Sequence, residues 1–162
     1  MKDKIHINPI QKFLMRRFIL SNLKEHSYCV GNIKSTYHIN HFLHEEKTFH
    51  PLIKKILQSS KKFFDKELII VCMWANVGGY KSKTLRHNHI DNFATDLFKQ
   101  KGISGSFYLS KSKNSGNFIT DEKIISVDQG DILFFSPHLF HSTEINKSNK
   151  KRIVISFNGY LM

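Results

Sequence analysis

The chain has 162 residues, 40% of them apolar, with 14 phenylalanines and only 8 glycines and 3 prolines. That composition excludes a disordered, collagen-like or low-complexity chain, and the length suits one hydrophobic core, so a single domain over residues 1–162 is expected. The formal net charge of +12 favours acidic partners, but the lysines are scattered, with short clusters at Lys54-Lys55, Lys61-Lys62 and Lys147 to Arg152 and no basic stripe interleaved with stacking aromatics, so only non-specific nucleic-acid binding is expected.

The first apolar stretch is broken by Gln11, Lys12, Arg16 and Arg17, which leaves neither a signal-peptide core nor a membrane span, and a cytoplasmic location is the expectation. Residues 9–23 place Ile10, Phe13, Leu14 and Phe18 at helical spacing and predict an amphipathic helix. The two cysteines, Cys29 and Cys72, are too few and too far apart for a disulfide scaffold; both are expected as thiols, with Cys72 in the core. A second helix starts at Pro51, a favoured first-turn residue, and gathers Leu52, Ile53, Ile56, Leu57, Phe63 and Phe64 on one side to cover a sheet. Residues 1–66 are therefore read as a helical or mixed support.

From Leu68 the texture changes. Leu68 to Trp74 is apolar on both faces, β-branched early and closed by Gly78-Gly79, as in a buried strand and turn. Further strands are expected near residues 80–89, 103–110, 117–120, 123–127, 132–135, 140–145 and 152–161. Turn chemistry separates them at Asn114-Ser115-Gly116, Asp128 to Asp131, Ser136-Pro137 and Asn146 to Asn149. Short strands at this spacing predict a mainly β fold, a double-sheet jelly roll with flanking helices, whose core is residues 67–162 and whose mouth carries a loop over residues 92–102.

The chemistry-bearing feature is His87-Asn88-His89. Two imidazoles at i and i+2 project from one face of a strand, and His141, after the strand-and-turn run Gly130 to Pro137, can return to the same end of a jelly roll as a third ligand. Neutral imidazoles suit iron, copper, nickel or zinc, and three ligands on one side leave positions open for substrate and oxygen. A second register overlaps the first: His89-Ile90-Asp91 with His141 would make a two-histidine, one-carboxylate triad, and otherwise Asp91 is an outer acceptor or a solvated loop acid. Arg152, on the next expected strand, supplies a cation able to hold an organic anion. Each feature also has a plainer role: chance histidine pairs among 10 histidines, a hydrogen-bonded loop imidazole at His141, a surface cation at Arg152 and a solvated strand acid at Glu144. No P-loop, dinucleotide fingerprint or Ser/His/Asp arrangement is present.

Five stretches occur in order: Trp74-Ala75-Asn76, His87-Asn88-His89, Ser104 to Leu109, Gly130 to His141, and Arg152 to Asn158. The order resembles that of the Fe(II)/2-oxoglutarate-dependent oxygenases, particularly small members with His-x-His…His…Arg motifs, over about residues 71–160. The resemblance implies a double-stranded β-helix, with His87, His89 and His141 as Fe(II) ligands and Arg152 as partner of the distal carboxylate of the cosubstrate 2-oxoglutarate. It also implies an enzyme that hydroxylates a small-molecule or peptide substrate with release of succinate and CO2. Two departures matter. The stretch between His89 and Ser104 is longer than the family's, which implies an insertion near the mouth. Val154 stands where the family has a serine, so a hydroxyl assisting Arg152 must come from Tyr108 or Ser156. Trp74 and Asn76 are expected to line the cavity, although a core-strand tryptophan also serves as packing. Two other readings stay open: a cupin-type metalloprotein without 2-oxoglutarate, which the run from Gly130 through Pro137 to His141 also resembles, and a basic non-enzymatic binding module with structural histidines.

Overall fold

The computed structural model describes residues 1–26, 33–90 and 95–162, together with the backbone of Cys29–Val30. In chain order the elements are β1 (Lys2–Lys4), α1 (Pro9–Ser21), β2 (Lys24–Glu25), β3 (Cys29–Val30), β4 (Ile33–Ser35), two 3-10 turns (Leu43–Glu45 and Lys47–Phe49), α2 (His50–Ser60), β5 (Leu68–Gly78), β6 (Lys83–Thr84), α3 (Asp96–Lys101), β7 (Gly102–Ser110), β8 (Phe118–Thr120), β9 (Ile124–Ile125), β10 (Asp131–Phe135), β11 (His141–Thr143) and β12 (Arg152–Leu161). An antiparallel seven-stranded sheet runs β1-β10-β7-β12-β5-β4-β2. A smaller sheet runs β11-β8-β9, and the pair β3-β6 continues it through the His87–His141 bridge and through the backbone bonds of Lys81 and Ser82 with Asn146.

Period-two alternation divides the large sheet into two faces. Met73, Ala75, Val77, Phe107, Leu109, Ile132, Phe134, Ile153, Ile155 and Phe157 point to one side, where Met15 and Ile19 of α1, Leu52 and Ile56 of α2, and Leu43 and Phe49 of the 3-10 turns complete a buried core. Their neighbours Trp74, Asn76, Ser106, Tyr108, Arg152, Val154, Ser156 and Asn158 point the other way and line a cavity toward the small sheet. Leu133 and Phe135 close its far end with Phe118 and Val127.

Both expected helices form, for the local reasons that the sequence gives. The Asn8 side chain accepts from the Gln11 amide at 2.8 Å and Pro9 opens α1, while Pro51 lies in the first turn of α2. The buried side of α1 differs from the expected one. Ile10, Phe13 and Leu14 are exposed, and the sheet instead takes Met15 and Ile19, with Phe18 edge-on to Phe49 at 5.5 Å. The helix carries two apolar stripes, and its docking angle selects one of them. Phe63 and Phe64 follow α2 rather than lying in it, yet both reach Phe134 at 5.9 Å.

Several strands depart from expectation. β1, β2 and β4 come from the N-terminal third and join the large sheet. β5 forms as expected, but its pairing with β12 shifts register at Asn158/Gly159 and reverses the alternation, so Leu68 and Ile70 pack on the core while Ile69 and Val71 are exposed. The strand expected over residues 80–89 shrinks to β6 plus the His87 bridge. Within the expected mouth loop, α3 forms on a Thr95 cap, while residues 92–94 lie outside the described residues. Cys72 is a half-buried free thiol whose pKa burial raises; the Cys29 side chain lies outside the described residues. No described helix is long and apolar enough to cross a membrane.

Candidate metal centre

The His-x-His pair sits on an extended segment held at two points by backbone bonds. The His87 amide donates to the His141 carbonyl at 2.9 Å and the His87 carbonyl accepts from the His141 amide at 2.8 Å, while the His89 amide donates to the Pro137 carbonyl at 2.9 Å. The chain reversal through Ser136-Pro137 therefore sets His141, the first residue of β11, beside both. Ring centroids are 4.3 Å apart for His87 and His141, 5.1 Å for His89 and His141, and 5.5 Å for His87 and His89. Their ligand atoms all lie within 4.8 Å of one another, with His141 buried and the other two half-buried.

Each imidazole has its Nδ1 occupied. His87 Nδ1 lies 2.8 Å from the Leu85 carbonyl and His141 Nδ1 2.9 Å from the Leu139 carbonyl. A carbonyl only accepts, so both rings carry their proton on Nδ1 and present the Nε2 lone pair. His89 Nδ1 lies 2.6 Å from Asn158 Oδ1, which also accepts from the Ser104 hydroxyl at 2.7 Å. Burial lowers all three pKa values, to about 4 for His89 and about 3 for His141, where the neighbouring imidazoles add to the effect. All three rings are neutral near pH 7, the form that binds a metal ion. Phe118 stacks on His141 at 5.1 Å and Phe135 lies 4.8 Å from it, forming an apolar backing.

Arg152 lies across the cavity. It begins β12, the strand that follows β11 in the chain, and the pairing of β12 with β5 and β7 sets it in the facing sheet. It is 3% exposed, and its guanidinium donates to the Ser115 carbonyl at 2.6 Å, the Glu144 carbonyl at 3.1 Å and the Thr143 hydroxyl at 2.8 Å. Gly116 makes that approach possible. It adopts φ 85°, and a Cβ there would meet Arg152 Nη1 at 2.8 Å and the Glu144 carbonyl oxygen at 2.5 Å. Glu144 enters through this backbone oxygen, while its carboxylate accepts from the Asn117 amide at 3.0 Å.

Tyr108 and Ser156, the two hydroxyl candidates, are both buried and both line the cavity. Burial pushes the Tyr108 phenol far up against the opposing pull of Arg152, so it remains a hydrogen-bond donor. Trp74 and Asn76 line the same cavity, and Asn76 Oδ1 is buried there without a hydrogen-bond partner among the described residues. Asp91, the alternative carboxylate, lies outside the described residues. Asn158, Ser104, Thr143 and Gly116 are site residues to which the sequence assigned no role. Asn158 and Ser104 fall within motif stretches and Gly116 within an expected turn, but nothing local shows which side chain each would meet.

No family model matches the chain and no curated protein matches it. Solved structures do match. HygX from Streptomyces hygroscopicus, with nickel, 2-oxoglutarate and hygromycin B bound, aligns at a TM-score of 0.71 and 14% identity over 100% of this chain and 82% of its own. The viral collagen prolyl hydroxylase vCPH from Paramecium Bursaria Chlorella virus-1, as its 2-oxoglutarate complex, aligns at 0.65 and 13% identity over 99% and 96%. AviO1 from Streptomyces viridochromogenes Tue57 aligns at 0.66 and 13% identity over 98% and 88%. The β-rich fold is thus one on which 2-oxoglutarate- and metal-bound oxygenases are built, and this chain carries a three-histidine cluster within it.

Proposed function

We propose that the chain is an Fe(II)- and 2-oxoglutarate-dependent oxygenase with a double-stranded β-helix core, hydroxylating a small-molecule or peptide substrate. One observation carries the proposal: three neutral imidazoles, each fixed through Nδ1, converge in the same cavity as a buried arginine from the opposite sheet. The residues fit the groups required. Fixed tautomers aim three lone pairs at a common point, and three uncharged ligands leave a divalent ion its full charge for an anionic cosubstrate. Asn76 Oδ1, which has no hydrogen-bond partner among the described residues, is a buried polar atom on the wall of the cavity that such a cosubstrate would fill.

In this proposal His87, His89 and His141 hold the metal, and Arg152 pairs with the distal carboxylate of 2-oxoglutarate. The Ser115 and Glu144 carbonyls and the Thr143 hydroxyl fix the guanidinium beforehand, so little side-chain entropy remains to be lost on binding. Tyr108 and Ser156 offer hydroxyls on the same wall, where Val154 offers only methyl groups. When bound, the iron and 2-oxoglutarate together supply the oxidising chemistry, with succinate and CO2 as coproducts. Phe118 and Phe135 keep water from the back of the cluster.

The test is an anaerobic Fe(II) titration with and without 2-oxoglutarate, followed by admission of oxygen. A metal-to-ligand charge-transfer band that requires 2-oxoglutarate, and succinate above a metal-free control, are expected. Metal binding with neither signal would leave the cupin-type reading. Failure to bind metal would leave the basic binding module.

A further inference from the structure

The cavity reaches the surface along a wall of rings. Trp74 lies 5.7 Å from the His89 ring and 5.4 Å from Tyr37, centroid to centroid, and Tyr37 meets His38 at 5.5 Å. Ring contacts alone therefore connect the histidine cluster to the rim, where Tyr37 is 41% exposed. The planes of Tyr37 and Trp74 stand 81° apart, so together they form a corner. The cavity holds about 540 Å³, room for a cosubstrate and a further ring-sized group. Among the described lining residues none is acidic, and Arg152 is the one group permanently charged; burial lowers the pKa of His26, which keeps the rim imidazole neutral.

We propose that this corner seats the prime substrate by an uncharged aromatic ring. The inference rests on the oxygenase reading, which supplies the reason for a substrate to lie between the rim and His89. A flat ring entering an 81° corner can lie offset on one wall and meet the other edge-on, satisfying both preferred aromatic geometries together. A saturated ring buries similar apolar area but has no quadrupole to match. A cation would be attracted to the ring faces, yet it would share a low-dielectric cavity with Arg152 in a chain of net charge +12 and find no carboxylate among the described lining residues.

The chain contains a single tryptophan, Trp74, so its emission reports this wall alone. Three probes of similar size separate the possibilities: 3-phenylpropanamide, 3-cyclohexylpropanamide and 2-phenylethylamine, titrated anaerobically with Fe(II) and 2-oxoglutarate present and again with neither. The phenyl amide should perturb Trp74 saturably and bind several-fold to about tenfold tighter than the cyclohexyl amide, the margin that aromatic ring geometry supplies beyond burial, and no weaker than the amine. Tyr37→Ala should abolish that margin, Tyr37→Phe should keep it, and neither should alter the 2-oxoglutarate-dependent charge-transfer band. Tighter binding of the amine would show a cation cage, and equal binding of the cyclohexyl amide would show undirected apolar burial; either overturns the proposal, as does an unsaturable response to all three probes. Ring binding without metal or 2-oxoglutarate binding would defeat only the oxygenase reading, and the converse result would defeat only this one.

Discussion

The three imidazoles are not held alike, and this difference sets how each responds to substitution of its surroundings. His87 and His141 donate to backbone carbonyls two residues earlier in the chain, which no side-chain replacement removes, whereas His89 relies on Asn158 and Ser104. Asn158→Ala should therefore lower metal affinity by about 10- to 100-fold, the usual effect of losing the outer partner of a ligand histidine, with a smaller loss for Ser104→Ala; competition with a metal-sensitive dye measures both. The choice between the two registers of the His-x-His-x-Asp run is settled by iron stoichiometry. His87→Ala should lose iron and Asp91→Ala should retain it; full loading of His87→Ala with loss in Asp91→Ala would restore the two-histidine, one-carboxylate triad. Arg152→Ala should weaken 2-oxoglutarate binding by about 2–4 kcal/mol, as for a largely desolvated ion pair that loses one charge, while iron binding persists. Arg152→Lys should recover only part of this, because an ammonium cannot reproduce the bonds to Ser115, Glu144 and Thr143 together. Calorimetry on the iron-loaded variants gives the comparison, and unchanged 2-oxoglutarate affinity in Arg152→Ala would remove this residue from the site.

At the scale of elements, the short strand β1 is fixed by two carboxylates. Lys2 and Lys4 reach Asp131 of β10 at 2.7 and 2.9 Å, and Asp3 binds Lys62 and Ser59 beyond and within α2, each at 2.6 Å. Burial raises the Asp131 pKa, but the two ammonium groups and the Asp128 amide outweigh it and hold the carboxyl low. Asp3 is lowered from 3.8 to about 2, chiefly by Lys62 and then Ser59. A carboxyl whose pKa is lower in the folded than in the unfolded chain stabilises the fold above its unfolded value, and that contribution is lost as pH falls through the folded one. The urea midpoint should thus hold above pH about 4 and fall from there toward pH about 2 as these carboxylates take up protons. Asp131→Asn should flatten part of that fall and cost about 1–3 kcal/mol at neutral pH, a value kept small because both lysines are partly exposed. Urea unfolding of the two proteins at neutral and acid pH makes the comparison.

Over the whole molecule, the large sheet is used twice: one face anchors the helices through an apolar core, and the other carries the polar residues of the cavity. This division leaves the excess positive charge on the exterior, since the described lining contributes only Arg152 to it. Binding to mixed-sequence DNA should consequently be non-specific and fall by about tenfold or more between about 50 and 200 mM salt, as release of condensed counterions requires. Fluorescence anisotropy across that range tests the expectation. Tight binding to one sequence that survives physiological salt would turn the search for a substrate toward nucleic acid.

Patterns of local origin were legible in the sequence. The alternation of Arg152, Val154, Ser156 and Asn158 with Ile153, Ile155 and Phe157 fixes the two faces of β12 before any partner strand is known, because a strand's side chains change sides at every residue. The starts of α1 and α2 follow in the same way from Pro9 and Pro51. The grouping of His87, His89, His141 and Arg152 in one cavity was expected from the order of five motifs, and the structure brings the four together there. What depended on pairing at long range was hidden: the entry of β1, β2 and β4 into the large sheet, the apolar stripe that α1 buries, and the pairing of β12 with β5 and β7, which brings Arg152 to the cavity from the facing sheet. The same holds for the bond from His89 to Asn158, 69 residues away, and for the Tyr37–Trp74 corner. Periodicity tells an element which face to bury, and it is read within a few residues. Which elements then meet is decided by packing and hydrogen-bond satisfaction across the whole chain, so the partners that tune this site appear only in the folded molecule.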